Sequence, residues 1–265
     1  MEVPVVISVA GSDNSAGAGI QADLKTFTYF KVFGQTVVTC VVAEVPGRVT
    51  AIHPVDPKTI REQLTLSLEY FPVRAMKTGM LYSAPTIQTI CEILESIPTN
   101  TRPQLVIDPV MIASSGDLLL KPEAVAIYRQ RLIPLATLVT PNVDEAARLA
   151  KQPIRNLAEL EQVAHSLAAE FGVAFLVKGG HLAGKVATDI LVKGDQVTRF
   201  SAPFYTGLMT HGTGCTFSAA VTANLAQGKP TEEAVRIGKD YITRAIAGSL
   251  RWKGTAGNIT ALKHW

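Results

Sequence analysis

The 265-residue chain predicts an α/β fold, with a mostly parallel sheet covered by helices on both faces. Three observations predict it. Short β-branched runs alternate with longer amphipathic segments. Several of the short runs are apolar at almost every position, as strands buried on both faces are. Finally, 47% of residues are hydrophobic, enough to fill a sizeable core.

Val5–Ala10 (VVISVA) is the first strand. Ile20–Phe33 reads as a helix closed by Gly34, and Gln35–Ala43 (QTVVTCVVA) as a second strand. Pro57–Phe71 reads as a helix with Asp56 at the N-cap. Its proline takes the first helical position, where a missing N–H costs nothing. Val73–Lys77 is a strand, Ala84–Ile97 a helix and Gln104–Pro109 a buried strand. Val125–Leu132 is helical, and Leu138–Thr140 is a short strand. Thr140-Pro141-Asn142-Val143-Asp144-Glu145 ends that strand and starts a helix. Asn156 caps a helix over Leu157–Phe171, with Glu159 three residues on. Ala174–Lys178 is a further buried strand. Thr188–Lys193 and Gln196–Phe200 flank Gly194-Asp195 and predict an antiparallel hairpin at one sheet edge. Two helices follow, Cys215–Gln227 and Thr231–Leu250. No repeat, low-complexity tract or linker divides the chain, so residues 1–265 are expected to form a single domain.

Charge and cysteine usage exclude several function classes. Lys and Arg number 25 against 22 Asp and Glu, a net charge of +3 that is too small and scattered to attract nucleic acid. No apolar run reaches the roughly 18 residues that span a bilayer. The apolar start lacks a basic leader segment and reads as a strand. Cys40, Cys91 and Cys215 are odd in number and far apart, so neither a disulfide framework nor a thiolate zinc site is indicated. A reduced, cytoplasmic setting is expected.

In open α/β sheets ligands sit beyond the carboxyl ends of the strands, and three groups of residues fall there. Gly11-Ser12-Asp13 through Ala22-Asp23 follows the first strand and opens a helix. Its glycines let a ligand approach the backbone. Gly17-Ala18-Gly19-Ile20-Gln21-Ala22 matches a dinucleotide fingerprint, but several residues past the strand end instead of in a tight turn. His211-Gly212-Thr213-Gly214-Cys215-Thr216 puts glycines before a small-residue helix, whose free N–H groups suit a phosphoryl group. The helix dipole is expected to lower the Cys215 thiol toward neutrality. Asp108, Asn142 with Glu145, and Lys178 close three later strands. Together they suit a metal–nucleotide site, because Mg²⁺ takes few carboxylates and lysine pairs with phosphates. No Walker loop is present.

These segments resemble bacterial hydroxymethylpyrimidine/phosphomethylpyrimidine kinases of thiamine biosynthesis. Gly11-Ser12-Asp13 with Ser15 through Thr26, Lys77-Thr78-Gly79-Met80-Leu81, Asp108-Pro109-Val110-Met111, Thr140-Pro141-Asn142, Lys178-Gly179-Gly180-His181 and His211 through Thr216 match that family in order, over nearly the whole chain. The resemblance implies a ribokinase-like three-layer α/β/α fold, with ATP and Mg²⁺ as cofactors and an aminopyrimidine alcohol as substrate. It also implies a homodimer. By position, Asp23 and Glu44 are implied to hydrogen-bond the aminopyrimidine, with Gly11, Ala18, Met80 and Val110 lining its pocket. The amides of Gly212, Thr213 and Gly214 are implied to form an anion hole beside Cys215, which takes the catalytic place. Asn142, Lys178 and Thr213 are implied to serve the nucleotide, and Asp108 and Glu145 the metal.

One segment departs from the family. Where Gln-Asn-Thr is usual, the chain reads Ala43-Glu44-Val45-Pro46-Gly47. Glutamate still accepts a hydrogen bond from an exocyclic amine, but Val45-Pro46 removes polar side chains and stiffens the segment. A pyridoxal or pyridoxine kinase on the same scaffold therefore stays open. So does a catalytically silent pyrimidine-binding protein, which would bind ligand without consuming ATP.

Overall fold

The structure is a computed structural model and describes residues 2–111, 120, 122–180, 182, 186–205, 211–255 and 257–265, with backbone alone at 122 and 123. The chain runs β1 (Val5–Asp13), α1 (Gly19–Tyr29), β2 (Phe33–Val45), β3 (Arg48–Pro54), α2 (Pro57–Tyr70), β4 (Val73–Thr78), α3 (Ala84–Ser96), β5 (Gln104–Ile107), α4 (Pro122–Ile127), β6 (Leu138–Val139), α5 (Val143–Ala150), α6 (Leu157–Phe171), β7 (Ala174–Val177), β8 (Val186–Lys193), β9 (Gln196–Pro203), α7 (Thr213–Ala226), α8 (Thr231–Ala247), β10 (Leu250–Gly254) and β11 (Gly257–Ala261).

Alternation along the strands decides the layers. In β1, Ile7 and Val9 join a core with α2 through α6, while Val6 joins a second core with α1, α7 and α8. The sheet is thus buried on both faces. Its nine strands lie in the order β3-β2-β1-β4-β5-β6-β7-β8-β9. From β2 to β7 neighbours are parallel; β3, β8 and β9 run antiparallel to theirs. The winding reverses between β1 and β4, which opens a crevice there.

At α2 and α6 the capping residues start the helix as the sequence predicts. Asp56 accepts the Lys58 N–H (2.7 Å) at the head of α2. Asn156 accepts the Glu159 N–H (2.9 Å) at the head of α6, which ends on Gly172 at φ +68°.

Several boundaries differ from the sequence expectation. Helix α1 stops at Tyr29, and Gly34 belongs to β2 instead of closing the helix. A Cβ on Gly34 would lie 2.7 Å from the Phe27 ring, so this glycine lets β2 pack closely on α1. Strand β1 runs on through Asp13, past a register shift between Ala10 and Ser12. Strand β3 was not expected; it pairs with β2 across a Pro46-Gly47 turn with Gly47 at φ +83°. Helix α4 ends at Ile127, and Tyr128–Leu132 forms a π-helical turn. Helix α8 ends at Ala247, and the β10–β11 hairpin follows.

Candidate active site

A cavity of about 560 Å³ opens at the carboxyl ends of the parallel strands. Every expected site residue except Asp23 lines it.

At one end stands the head of α7. Gly212 caps it at φ +79°, with no side-chain hydrogen bond to its amides. A Cβ on Gly212 would meet the Gly17 carbonyl oxygen at 1.8 Å, so only glycine allows this approach. A Cβ on Gly214 would lie 3.2 Å from Asp108 Oδ2 and 3.3 Å from Lys178 Nζ. The α7 backbone therefore rests against an ion pair, Lys178 Nζ to Asp108 Oδ1 at 3.2 Å. Burial works against the Lys178 charge, but Asp108 and then Glu145 outweigh it and hold the ammonium protonated.

The head of α5 is arranged differently. Asn142 Oδ1 accepts the Glu145 N–H (2.9 Å), and Glu145 Oε2 accepts the Asn142 N–H (2.9 Å), a complete capping box. Glu145 Oε1 also accepts the Met111 N–H (3.2 Å). Burial raises the Glu145 pKa, against Lys178 and with Asp108. The Asn142 side chain is thus spent on the helix. Asp108 and Glu145 are two buried carboxylates beside a lysine, and each oxygen keeps a lone pair. That donor set fits a divalent cation that draws its other ligands from water and phosphate.

The Cys215 thiol does not behave as its helix position predicts. Burial pushes it up to about 12; Lys77 opposes the shift, and Asp108 and Asp23 reinforce it. Desolvation and two nearby carboxylates outweigh the helix dipole, so this group is a neutral thiol at physiological pH.

Asp23 also departs from expectation. It is fully buried behind the cavity wall. One oxygen pairs with Lys77 Nζ at 2.8 Å and the other accepts from Ser8 Oγ. Lys77 is itself fully buried. Neither residue lines the cavity.

The other end of the cavity is built by β1, β2 and the residues before α7. Gly11 allows close packing, since a Cβ there would lie 2.8 Å from Cys40 Sγ and 3.7 Å from Met80 Sδ. Thr39 Oγ1 donates to the Met80 carbonyl (2.6 Å) and fixes that wall. Val110 holds φ +41°, a strained conformation for a β-branched residue. Ala18 donates its N–H to Asp13 Oδ2 (2.8 Å), as does Gly17 (3.1 Å), and Ser15 N–H reaches Oδ1 (2.7 Å). His211 Nε2 lies 3.0 Å from the same Oδ2. Burial would raise Asp13, but the hydrogen bonds from His211, Ser15 and Ala18 hold it at about 2.

Sequence reasoning passed over Asp13, Lys77, His211 and a pair at the far end. There Asp189 accepts the Gly179 N–H (3.0 Å) and pairs with Lys239 Nζ (2.7 Å). His211 heads the glycine motif, and that position is the one signal that could have marked it. Lys77 ends an apolar strand and looks like a surface charge. His181 lies outside the described residues.

Comparison with known proteins agrees with this geometry. A family model described as phosphomethylpyrimidine kinase matches residues 13–260. The chain is 42% identical to the hydroxymethylpyrimidine/phosphomethylpyrimidine kinase of Rhizobium meliloti, over 93% of this chain and 92% of that one. Among solved structures it is similar to an ADP complex of Bacillus subtilis pyridoxal kinase (TM-score 0.88, 35% identity, 98% of each chain covered). It is also similar to the phosphomethylpyrimidine kinase of Clostridium difficile 630 (TM-score 0.79, 39% identity, 92% of this chain and 100% of that one).

Proposed function

The chain belongs to the phosphomethylpyrimidine kinase family, and from that premise we propose that it phosphorylates 4-amino-5-hydroxymethyl-2-methylpyrimidine with ATP and then phosphorylates the monophosphate. One observation carries the reading: the uncapped head of α7 faces Lys178 and Asp108 in the same cavity that holds Glu44.

The aminopyrimidine sits between Gly11, Ala18, Met80 and Val110, and its exocyclic amine donates to Glu44. Its hydroxymethyl oxygen points at the head of α7. Phosphoryl transfer has a loose transition state, so positioning and charge neutralisation supply most of the catalysis. The Gly212, Thr213 and Gly214 amides hold the moving phosphoryl oxygens, and Lys178 meets the phosphates behind them. Cys215 acts as a neutral thiol that orients the attacking hydroxyl; the new oxygen–phosphorus bond forms as the bond to the ADP oxygen breaks, and the hydroxyl proton, made acidic late by that bonding, passes to an oxygen of the transferred phosphoryl group. Asn142 serves the site by fixing Glu145. Asp108 and Glu145 would hold Mg²⁺, which would neutralise charge on the phosphates. Asp23 and Lys77 act from behind the wall, as a buried ion pair near Cys215.

The test is an ADP-release assay with hydroxymethylpyrimidine, its monophosphate, pyridoxine and pyridoxal, alongside ligand binding. Turnover of the first two with the highest kcat/KM is expected. Binding without ADP release would leave only a pyrimidine-binding protein. A preference for pyridoxine or pyridoxal would favour the second reading, a B6-vitamer kinase, which the likeness to Bacillus subtilis pyridoxal kinase supports.

A further inference from the structure

Asp13, Glu44 and His211 reach one end of the cavity from three distant segments, and their donor atoms lie within 4.8 Å of one another. Such a set could take a cation, but Asp13 Oδ2 already accepts from Gly17 and Ala18 and faces His211 Nε2, which spends the lone pairs an ion would need. The backbone donors also fix Asp13 as a carboxylate. Glu44 is different. Its backbone N–H is held by Asn14 Oδ1 (2.7 Å), yet its carboxylate accepts no hydrogen bond among the described residues. It is a half-buried acceptor facing the ligand space, beside one fixed negative charge and one imidazole.

We propose that His211 is a positioning residue that determines specificity: its imidazolium, anchored on Asp13, keeps Glu44 an acceptor, so that the cavity selects a ring bearing an exocyclic amine. This rests on the substrate reading above. Without the cation, two carboxylates would face each other in a partly desolvated site, and one of them must take a proton. Asp13 cannot, because its amide donors favour the charged form, so Glu44 would. A protonated Glu44 loses its charge, keeps one acceptor oxygen and gains a donor, so it holds an amine less well than the carboxylate does. It would match a pyridoxine-type ring, which carries hydroxyls and no exocyclic amine. Burial and Asp13 raise the Glu44 pKa while His211 lowers it. Burial lowers the His211 pKa, but Asp13 and Glu44 raise it further. The other titratable groups facing this end are Arg48 on β3, which lines the cavity, and Cys40 on β2, which burial pushes up to about 11.

The test compares steady-state kinetics of the wild-type chain, His211→Asn and Glu44→Gln on hydroxymethylpyrimidine and on pyridoxine across pH. His211→Asn is expected to lower the ratio of kcat/KM for the pyrimidine over pyridoxine by about tenfold, through the pyrimidine KM. In the wild type, the pyrimidine KM is expected to rise as pH falls through the Glu44 pKa; His211→Asn is expected to move that rise to higher pH, because the cation lowers the Glu44 pKa, and Glu44→Gln is expected to abolish it. The wild-type profile needs no variant to fold. Equal losses on both substrates, a loss in kcat alone or an acid KM limb that His211→Asn leaves in place would overturn the role of His211 and leave the substrate reading standing. A wild-type chain that phosphorylates pyridoxine and not the pyrimidine would overturn the substrate reading, and this inference with it.

Discussion

The two helices that open beside the cavity's ion pair begin in opposite ways. At α5 the N-cap is closed by a reciprocal pair, Asn142 capping Glu145 and Glu145 capping Asn142, and the Met111 N–H binds the second Glu145 oxygen. At α7 the N-cap is Gly212, which has no side chain to cap the amides, and the backbone there lies against Asp108 and Lys178. A helix end with a full set of caps is finished as structure. A helix end left open beside a lysine retains the capacity to bind an anion.

Closing the open end should have the largest effect. Gly212→Ala adds a Cβ 1.8 Å from the Gly17 carbonyl at φ +79° and must displace the amides. It is expected to lower kcat by about 10³-fold with circular dichroism retained; a loss under tenfold would refute the anion role. Cys215→Ala is expected to lower kcat by about 10²-fold through misplacement of the attacking hydroxyl. Because the thiol stands at about 12, wild-type kcat should show no thiol titration between about pH 7 and 9, and a rise there would restore Cys215 as a base. Asn142→Ala opens the closed end. It is expected to cost about 1 kcal/mol of stability in denaturant melts, together with activity, because Glu145 loses its alignment. Asn156→Ala removes the same kind of cap from α6, away from the cavity. It should cost a similar ~1 kcal/mol and leave kcat unchanged; equal kinetic losses in the two variants would show that neither cap belongs to the site.

The effect confined to the narrowest conditions lies in acid. Asp13 stands at about 2 in the folded chain against an ordinary 3.8. The folded value is the lower one, so its stabilisation of roughly 2 kcal/mol is fully present above about pH 4 and lost as pH falls toward 2. Asp13→Asn should flatten that limb of the acid-unfolding curve.

Much of this was legible because local chemistry wrote it. Asp56-Pro57 marks α2, Asn156 with Glu159 marks α6, and Gly194-Asp195 marks the β8–β9 turn. Strand β3 was not legible: RVTAIHP has no buried position, and so no alternation to read. The β10–β11 hairpin is equally exposed along much of its length, and Trp252 pairs with Ile259 at the surface. In the site, residues that follow strands came out where the strand count put them. Properties set by distant partners did not. The Cys215 thiol is governed by burial and by Asp108 and Asp23, which outweigh its helix position. Asp23 is claimed by Lys77, 54 residues away. His211 gains its meaning from Asp13, and nothing local announces that contact.

That last contact spans 198 residues of chain. Gly17 and Gly212 meet along the same seam, with no room for a Cβ between them. Synthesis proceeds from the N-terminus, so the residues of the substrate wall at β1 leave the ribosome long before their partners do. Until residues 211–214 emerge, Asp13 has no imidazole and the cavity has no phosphate-facing amides. The working centre therefore cannot be assembled piecemeal on the ribosome. A nascent chain that ends before α7 lacks the imidazole and the phosphate-facing amides, and with them the means of catalysis.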